Sequence, residues 1–340
     1  MRGGLYVVPL VLVLAAVAGH AEEPKSFRGR ILLIGTERVD DPLHPLIVTL
    51  GADGTDPRTV LRLTKQGTPG SGRVAPDGLR FAYTLFSSER KGQQLWLMDA
   101  DGKTRKLADQ AGEITAWSPD GQRIGYFRAA ASSTDAKPVL ESFVFDLKSR
   151  KEQKLSLGTD YYAEDWHPKR EVRTIIYGNW RNLIYREKEG DCYPVRQLDL
   201  LETEGTKVPI SKDPSFDNVS SRFSPAGDRI AHYRRRFVAG KPHEYLVVCN
   251  LDGSAAKEVA AFTDFGNAEN LYSFRPSGSA CWSPDGKTLV QLVDTFATQE
   301  DQQTHNRKFE LVFIPANGGK LRRVSLTDMK FTWINAIDWR

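Results

Sequence analysis

The chain has 340 residues, 40% hydrophobic and 26% charged, an ordinary globular composition that excludes a largely disordered chain and suffices to bury a sizeable core. Its formal net charge of +4 is too weak to argue for nucleic acid. Three cysteines (Cys192, Cys249, Cys281) allow at most one disulfide, which excludes a disulfide framework; Cys249 and Cys281 are expected to be buried small hydrophobes.

The first element is an expected secretory signal over residues 1–21. Arg2 precedes an apolar stretch from Leu5 to Ala18, and small residues follow at Gly19 and Ala21. A retained anchor is the rival reading, but about 20 apolar residues are needed to span a bilayer and this stretch is shorter and holds Pro9. Residues 22–340 are then expected to form one domain, exported to the periplasm or secreted, with no later segment able to span a membrane.

Next come three strand-like runs, "RILLIGTE", "HPLIVTLGADGT" and "RTVLRLT". From there the chain repeats. An aromatic or apolar residue followed by a proline turn recurs as Val74-Ala75-Pro76-Asp77-Gly78, Trp117-Ser118-Pro119-Asp120-Gly121, Trp166-His167-Pro168-Lys169, Phe223-Ser224-Pro225-Ala226-Gly227 and Trp282-Ser283-Pro284-Asp285-Gly286. The prolines lie 43, 49, 57 and 59 residues apart, the length of one four-stranded unit. Each turn is followed by a short alternating run such as "QRIGYF" or "DRIAHY", which reads as a strand. Two further strands follow, as in "QLWLMDADGKTRKLA" and "ELVFIPANGGKLRRV"; their Asp-Gly and Asn-Gly pairs suggest type I′ hairpins, where both central residues take positive φ. Each unit is thus an antiparallel meander of strands A, B, C and D. Proline presets φ and ends strand A's ladder, Asp accepts local backbone hydrogen bonds, and Gly supplies positive φ, so Asp77, Asp120 and Asp285 are assigned to turn architecture rather than catalysis.

The first three runs supply B, C and D without an A. The last residues, "FTWINAIDWR", match the approach to the turn and place Trp339 in the slot of Trp117 and Trp282. Five complete units and one composite unit give an all-β, six-bladed β-propeller of four-stranded antiparallel blades, closed by the C-terminal strand. An open pair of sandwiches and a seven-bladed ring fit the repeat length of about 53 residues less well. The recurring W-S-P-D-G and its strand resemble the TolB-type, WD-repeat-like propeller repeat over nearly the whole of residues 22–340. That family carries an N-terminal α/β domain before the propeller and works with a peptidoglycan-associated lipoprotein. This sequence departs from the pattern, its first propeller strand starting just after the expected cleavage site, so the Tol-system role does not carry over.

The A–B and C–D turns are short, whereas the B–C and D–A connections are long ("RAAASSTDAKPVLES", "GNWRNLIYREKEGDCYP", "RRRFVAGKPH", "DTFATQEDQQTHNRK") and share the opposite face, where binding is expected. Tyr161, Tyr162, Asp217, Asn218, Tyr272, Arg275, Trp333 and Asn335 precede or begin strands A and are candidates for the channel mouth, beside Glu164 and Asp165. Trp180, Arg181, Arg186, Arg234, Arg235 and Arg236 are candidates for an arginine and aromatic patch suited to acidic partners or glycans. The histidines have no ligand spacing, and no zinc-protease, EF-hand, nucleophile-elbow, Walker or dinucleotide motif occurs, so neither metal nor cofactor is expected. The leading reading is a monomeric scaffold for an envelope or extracellular protein or glycan. The alternative is an enzyme acting on acidic polysaccharide, because TolB-like propellers resemble uronate lyases that use channel histidines, a metal and an arginine.

Overall fold

The structure, a computed structural model, describes residues 26–38, 43–62, 68–86, 93–130, 139–157, 161–185, 192–202, 205–211, 213, 216–238, 241–265, 280–295, 308–329 and 331–340. Within these, twenty-four strands form six four-stranded antiparallel sheets. Blade 1 is the composite expected from the sequence: β1 (Ile31–Arg38), β2 (Leu43–Leu50) and β3 (Arg58–Arg62) are completed on the inner side by β24 (Phe331–Trp339). Blade 2 comprises β4 (Thr68–Val74), β5 (Phe81–Phe86), β6 (Gln93–Met98) and β7 (Thr104–Ala111). Blade 3 comprises β8 (Glu113–Trp117), β9 (Arg123–Ala129), β10 (Leu140–Asp146) and β11 (Lys151–Lys154). Blade 4 is built from β12 (Tyr161–Trp166), β13 (Arg173–Tyr185), β14 (Cys192–Leu201) and β15 (Lys207–Pro209). Blade 5 holds β16 (Asp217–Phe223), β17 (Arg229–Val238), β18 (Lys241–Asn250) and β19 (Lys257–Ala261), and blade 6 holds β20 (Cys281–Trp282), β21 (Thr288–Thr295), β22 (Lys308–Pro315) and β23 (Arg322–Ser325). No helix among the described residues is long and apolar enough to cross a membrane.

Inner strands are buried on both faces, because each blade is sandwiched between two others. Strand β5 is buried from Phe81 to Thr84, whereas the outermost β11 is exposed throughout. This is why β5, FAYTLF, reads as a near-continuous apolar run. Cys249 and Cys281 are buried and form no disulfide, as expected of small hydrophobes. Aromatic residues before the prolines wedge between blades: Trp117 Nε1 donates to Arg73 O at 3.0 Å and Trp282 Nε1 to Arg222 O at 3.1 Å, each crossing to the preceding blade.

The proline turn is a self-contained hydrogen-bond unit. In blade 6, Ser283 Oγ donates to Asp285 at 2.6 Å, the same hydroxyl accepts Thr288 N at 2.9 Å, and Asp285 accepts Lys287 N at 3.0 Å. These bonds, the Ser283 hydroxyl first, hold the Asp285 carboxyl below its usual range. Asp120 has the same partners in Ser118 and Gln122, which settles its turn role. The strand that leaves the turn then clasps the next blade. Arg80 donates to Gly121 O at 2.8 Å and Arg229 to Gly286 O at 2.7 Å; Arg123 pairs with Glu171; His167 Nε2 lies 2.9 Å from Gly227 O. Gly121 sits at φ 65°, so Gly121→Val should force a β-branched side chain into the left-handed region and cost about 2 kcal/mol or more, read as a lower melting temperature.

Two expectations are corrected. The C–D hairpins are not type I′: in Asp99–Lys103, Gly102 N donates to Asp99 O and Asp99 N to Lys103 O, and only Gly102 takes positive φ. This is a type I turn closed by a left-handed glycine bulge, and Asn250–Ser254 repeats it with Gly253. Likewise, much of the expected B–C loops of blades 4 and 5 is strand. Strand β13 runs 13 residues to Tyr185, while β17 and β18 each run 10 and pair out to Val238 and Lys241.

Candidate binding face and channel

Strands β24, β4, β8, β12, β16 and β20 line the central channel. Immediately before the residue in the Trp117 slot of each blade (Val74, Trp117, Trp166, Phe223, Trp282 and Trp339) stands a residue near the turn-side end: Arg73, Ala116, Asp165, Arg222, Cys281 and Asp338. All but Ala116 line one small cavity of about 70 Å³, with Arg340 beside them. The series repeats after three blades as Arg, small residue, Asp. Both aspartates bridge to the following blade: Asp338 accepts Val74 N and Asp165 accepts Phe223 N, each at 2.8 Å. The two arginines converge from blades 2 and 5 on the carbonyl of Thr115, each at 3.3 Å. Arg73 also donates to Ile337 O at 3.3 Å and Arg222 to Glu164 O at 3.0 Å. Burial raises the Asp165 carboxyl to about 7 although its backbone bond and Arg340 and Arg73 oppose the shift, and burial raises the Cys281 thiol to about 12. Proline alignment would have revealed this ring, had the residues before the aromatic been compared.

At the opposite end lie the sequence candidates. Tyr161 and Tyr162 open β12, where Lys207 Nζ sits 3.5 Å from the Tyr161 ring and the Tyr162 ring lies 5.4 Å from that of Phe127. Asp217 and Asn218 open β16 opposite Arg235 and Arg234. Both are buried, and Asn218 donates to Ser211 Oγ at 2.7 Å, so they support the mouth from beneath. Asn335 donates to Pro69 O, tying blade 1 to blade 2. Trp333 is 43% exposed, and Phe86, at the loop-side end of β5, is 44% exposed. Phe86 was not singled out from the sequence, where it reads as the last apolar residue of a strand. Arg235 pairs with Glu244, and Arg236 lies over the rings of Phe216 and Tyr245, each at 5.9 Å. Trp180 and Arg181 fall at the bulge of β13 between Gly178 and Leu183, with their side chains outside the described residues. Tyr272, Arg275 and Arg186 lie outside the described residues altogether, as does the expected signal.

Two histidines, His167 and His232, are engaged elsewhere. His167 Nδ1 accepts Lys169 N at 3.0 Å, its Nε2 lies 2.9 Å from Gly227 O, and desolvation lowers its pKa. His232 is fully buried in blade 5, 4.0 Å from Cys249 Sγ, and burial drops its pKa to about 3. Among the described residues no group of three His, Cys, Asp or Glu side chains is placed to hold a metal ion.

No protein-family model and no curated protein matches the chain. Solved structures do. TolB from Acinetobacter baumannii superposes with a TM-score of 0.64 at 16% identity, over 93% of this chain and 67% of that one. An oligogalacturonate lyase in complex with manganese gives 0.54 at 12%, over 86% and 73%. The β-propeller domain of the Trilobed protease from Pyrococcus furiosus gives 0.51 at 15%, over 88% and 81%, and that domain is described as having an open velcro topology, whereas here β24 pairs with β1. At such identities the likeness is one of fold, and the fold of this chain is a TolB-like β-propeller.

Proposed function

We propose that the chain is an exported propeller acting as a binding scaffold, its loop-bearing face engaging an envelope or extracellular protein or glycan. The observation that carries this reading is the asymmetry of the two faces. On one, the proline turns are locked internally and clasped blade to blade. On the other, the hairpins of the neighbouring blades 4 and 5 extend well beyond the usual strand length and Trp333 is exposed, which supports reading Trp180, Arg181, Arg235, Arg236 and Trp333 as contact residues. Arginines and aromatics are the residues that most often anchor partners. The alternative, an enzyme acting on acidic polysaccharide, is less favoured, because His167 and His232 are held in structural contacts away from the channel mouth.

The test is capture of a partner from envelope extract by the protein carrying Arg181→Ala and Arg235→Ala. Capture should fall sharply while the melting temperature falls by little, since the Arg235–Glu244 pair that the variant breaks is part-exposed and such pairs contribute only about 1 kcal/mol or less. Undiminished capture by this variant, with loss confined to Gly121→Val, would move the binding surface to the turn face.

A further inference from the structure

Five of the six blades place a fully buried apolar residue at the start of strand B, opposite the residue before the proline turn: Ile31, Phe81, Ile124, Ile230 and Leu289. Blade 4 places Arg173 there, opposite Trp166. A charged residue at a repeat's core position is a local rule broken at one site, which calls for a compensating gain.

The surroundings of Arg173 suggest what that gain is. Blades 2 and 3, and blades 4 and 5, each share one continuous apolar cluster. Between blades 3 and 4 the described residues instead form two separate clusters, Ala116–Val144–Trp166 and Leu157–Ala163–Ile175. A crevice of about 550 Å³ runs along this junction, within the size range of small-molecule sites. Its walls carry Arg123, Arg173 and Lys207 against Glu171 and Glu202, one net positive charge, together with Leu155, Leu157 and Leu201.

The Arg173 guanidinium stacks on the Trp166 ring at 3.7 Å and its side chain is only 16% exposed. Its nearest carboxylate, on Glu171, is 3.9 Å away, beyond hydrogen-bond reach, and already pairs with Arg123. Among the described residues no acceptor fills its donors. Desolvation, with Arg123 adding to it, brings the guanidinium down to about 10. A planar fork of donors, held on one face by an indole and left open at its edge, matches the geometry of a carboxylate.

We propose that the crevice between blades 3 and 4 binds a carboxylate borne on an apolar stem, with Arg173 receiving the carboxylate and the three leucines receiving the stem. This goes beyond the scaffold reading and uses none of the loop-face arginines, so either can fail without the other.

The experiment titrates the whole protein with hexanoate, hexanamide and N-acetyl-leucyl-leucine, followed by calorimetry and by ligand-observed NMR. Hexanoate should bind and hexanamide should bind at least about tenfold more weakly, because the amide cannot form the charge-assisted pair. Tighter binding of the dipeptide than of hexanoate identifies a peptide carboxylate as the source of the ligand, and the reverse identifies a free acid. Arg173→Leu restores the residue type of the other blades, so it should fold, melt no lower than the wild type, and lose at least about tenfold in hexanoate affinity. Equal binding of acid and amide to the wild type would overturn the proposal without reference to any variant. So would Arg173→Leu binding hexanoate as the wild type does, or melting far below it, the last making Arg173 a structural strut.

Discussion

A chain cut after Ile334 is expected to unfold early or aggregate, the largest effect any change of comparable size should have on this fold. Strand β24 is the inner strand of blade 1 and pairs with β1 from Ile31↔Trp339 to Glu37↔Phe331. The cut removes the partners of Ile31 to Ile34 and leaves that stretch of the β1 edge as an unpaired ladder open to association. It would also remove the Asp338 carboxylate that accepts Val74 N at 2.8 Å, and the Ile337 carbonyl that accepts both Arg73 and the Cys281 thiol. Two junctions, to blade 2 and to blade 6, therefore loosen with a single deletion. Trp339→Ala is the graded version: the indole is 7% exposed and meets the Phe313 ring edge-on at 5.9 Å, so truncation should cost about 3–5 kcal/mol. Thermal unfolding and gel filtration read both. A soluble truncated chain with the wild-type melting temperature would mean that ring closure contributes nothing to stability.

The architecture was legible because its signal is local and repeated. A proline that cannot continue a ladder, an Asp that accepts its own backbone and a Gly at positive φ mark the same place in successive blades, and an apolar run follows each time. Blade 1 was legible for the complementary reason: a B–C–D set lacking A at one end and a lone A at the other leave one way to complete the sheet. The type I′ expectation failed because an Asp-Gly pair fits two hairpin geometries, and the five-residue turn with one left-handed glycine places less demand on the Asp at position 101. The long B–C connections of blades 4 and 5 read as loops because Gly178, Gly240 and runs of charge interrupt the apolar period. Their backbones pair with each other all the same, since a hairpin leaving the ring needs no buried face.

The site was less legible for a physical reason. Channel residues come from six separate strands, and what Arg73 or Arg222 does depends on the carbonyl it meets across the axis, which no spacing along the chain encodes. Asp217 and Asn218 were correctly placed near the start of strand A, yet whether such a residue faces solvent or the blade beneath is decided by the pleat and by bulges such as that between Val219 and Arg222. Arg173 was visible in principle. Aligned on the proline, it is the one charged residue in a column of Ile, Phe and Leu.

The second large effect is a pH dependence centred on Asp165. Burial raises this carboxyl from 3.8 to about 7, against the Phe223 N–H bond and the Arg340 and Arg73 charges. Between those values the folded chain holds a proton that the unfolded chain has released. The contribution is thus fully present below about 4 and is lost as pH rises through about 7. Asp165→Asn keeps an oxygen to accept Phe223 N and removes the titration, so any cost of the new amide is a constant offset. The stability of the variant relative to the wild type should therefore rise with pH, by about 1.4 kcal/mol per unit and roughly 4 kcal/mol in all across that window. His232 works in the opposite sense in both proteins: its pKa falls to about 3, so acidification below about 6.5 protonates the unfolded chain first and weakens the fold. Between about 4 and 6.5 these two slopes oppose each other in the wild type; in Asp165→Asn the histidine's slope should stand uncovered. Urea unfolding at half-unit pH intervals measures both curves. A difference between them that does not change with pH would show that Asp165 stays ionised throughout, with Arg222 at 3.8 Å and the other channel arginines outweighing its burial.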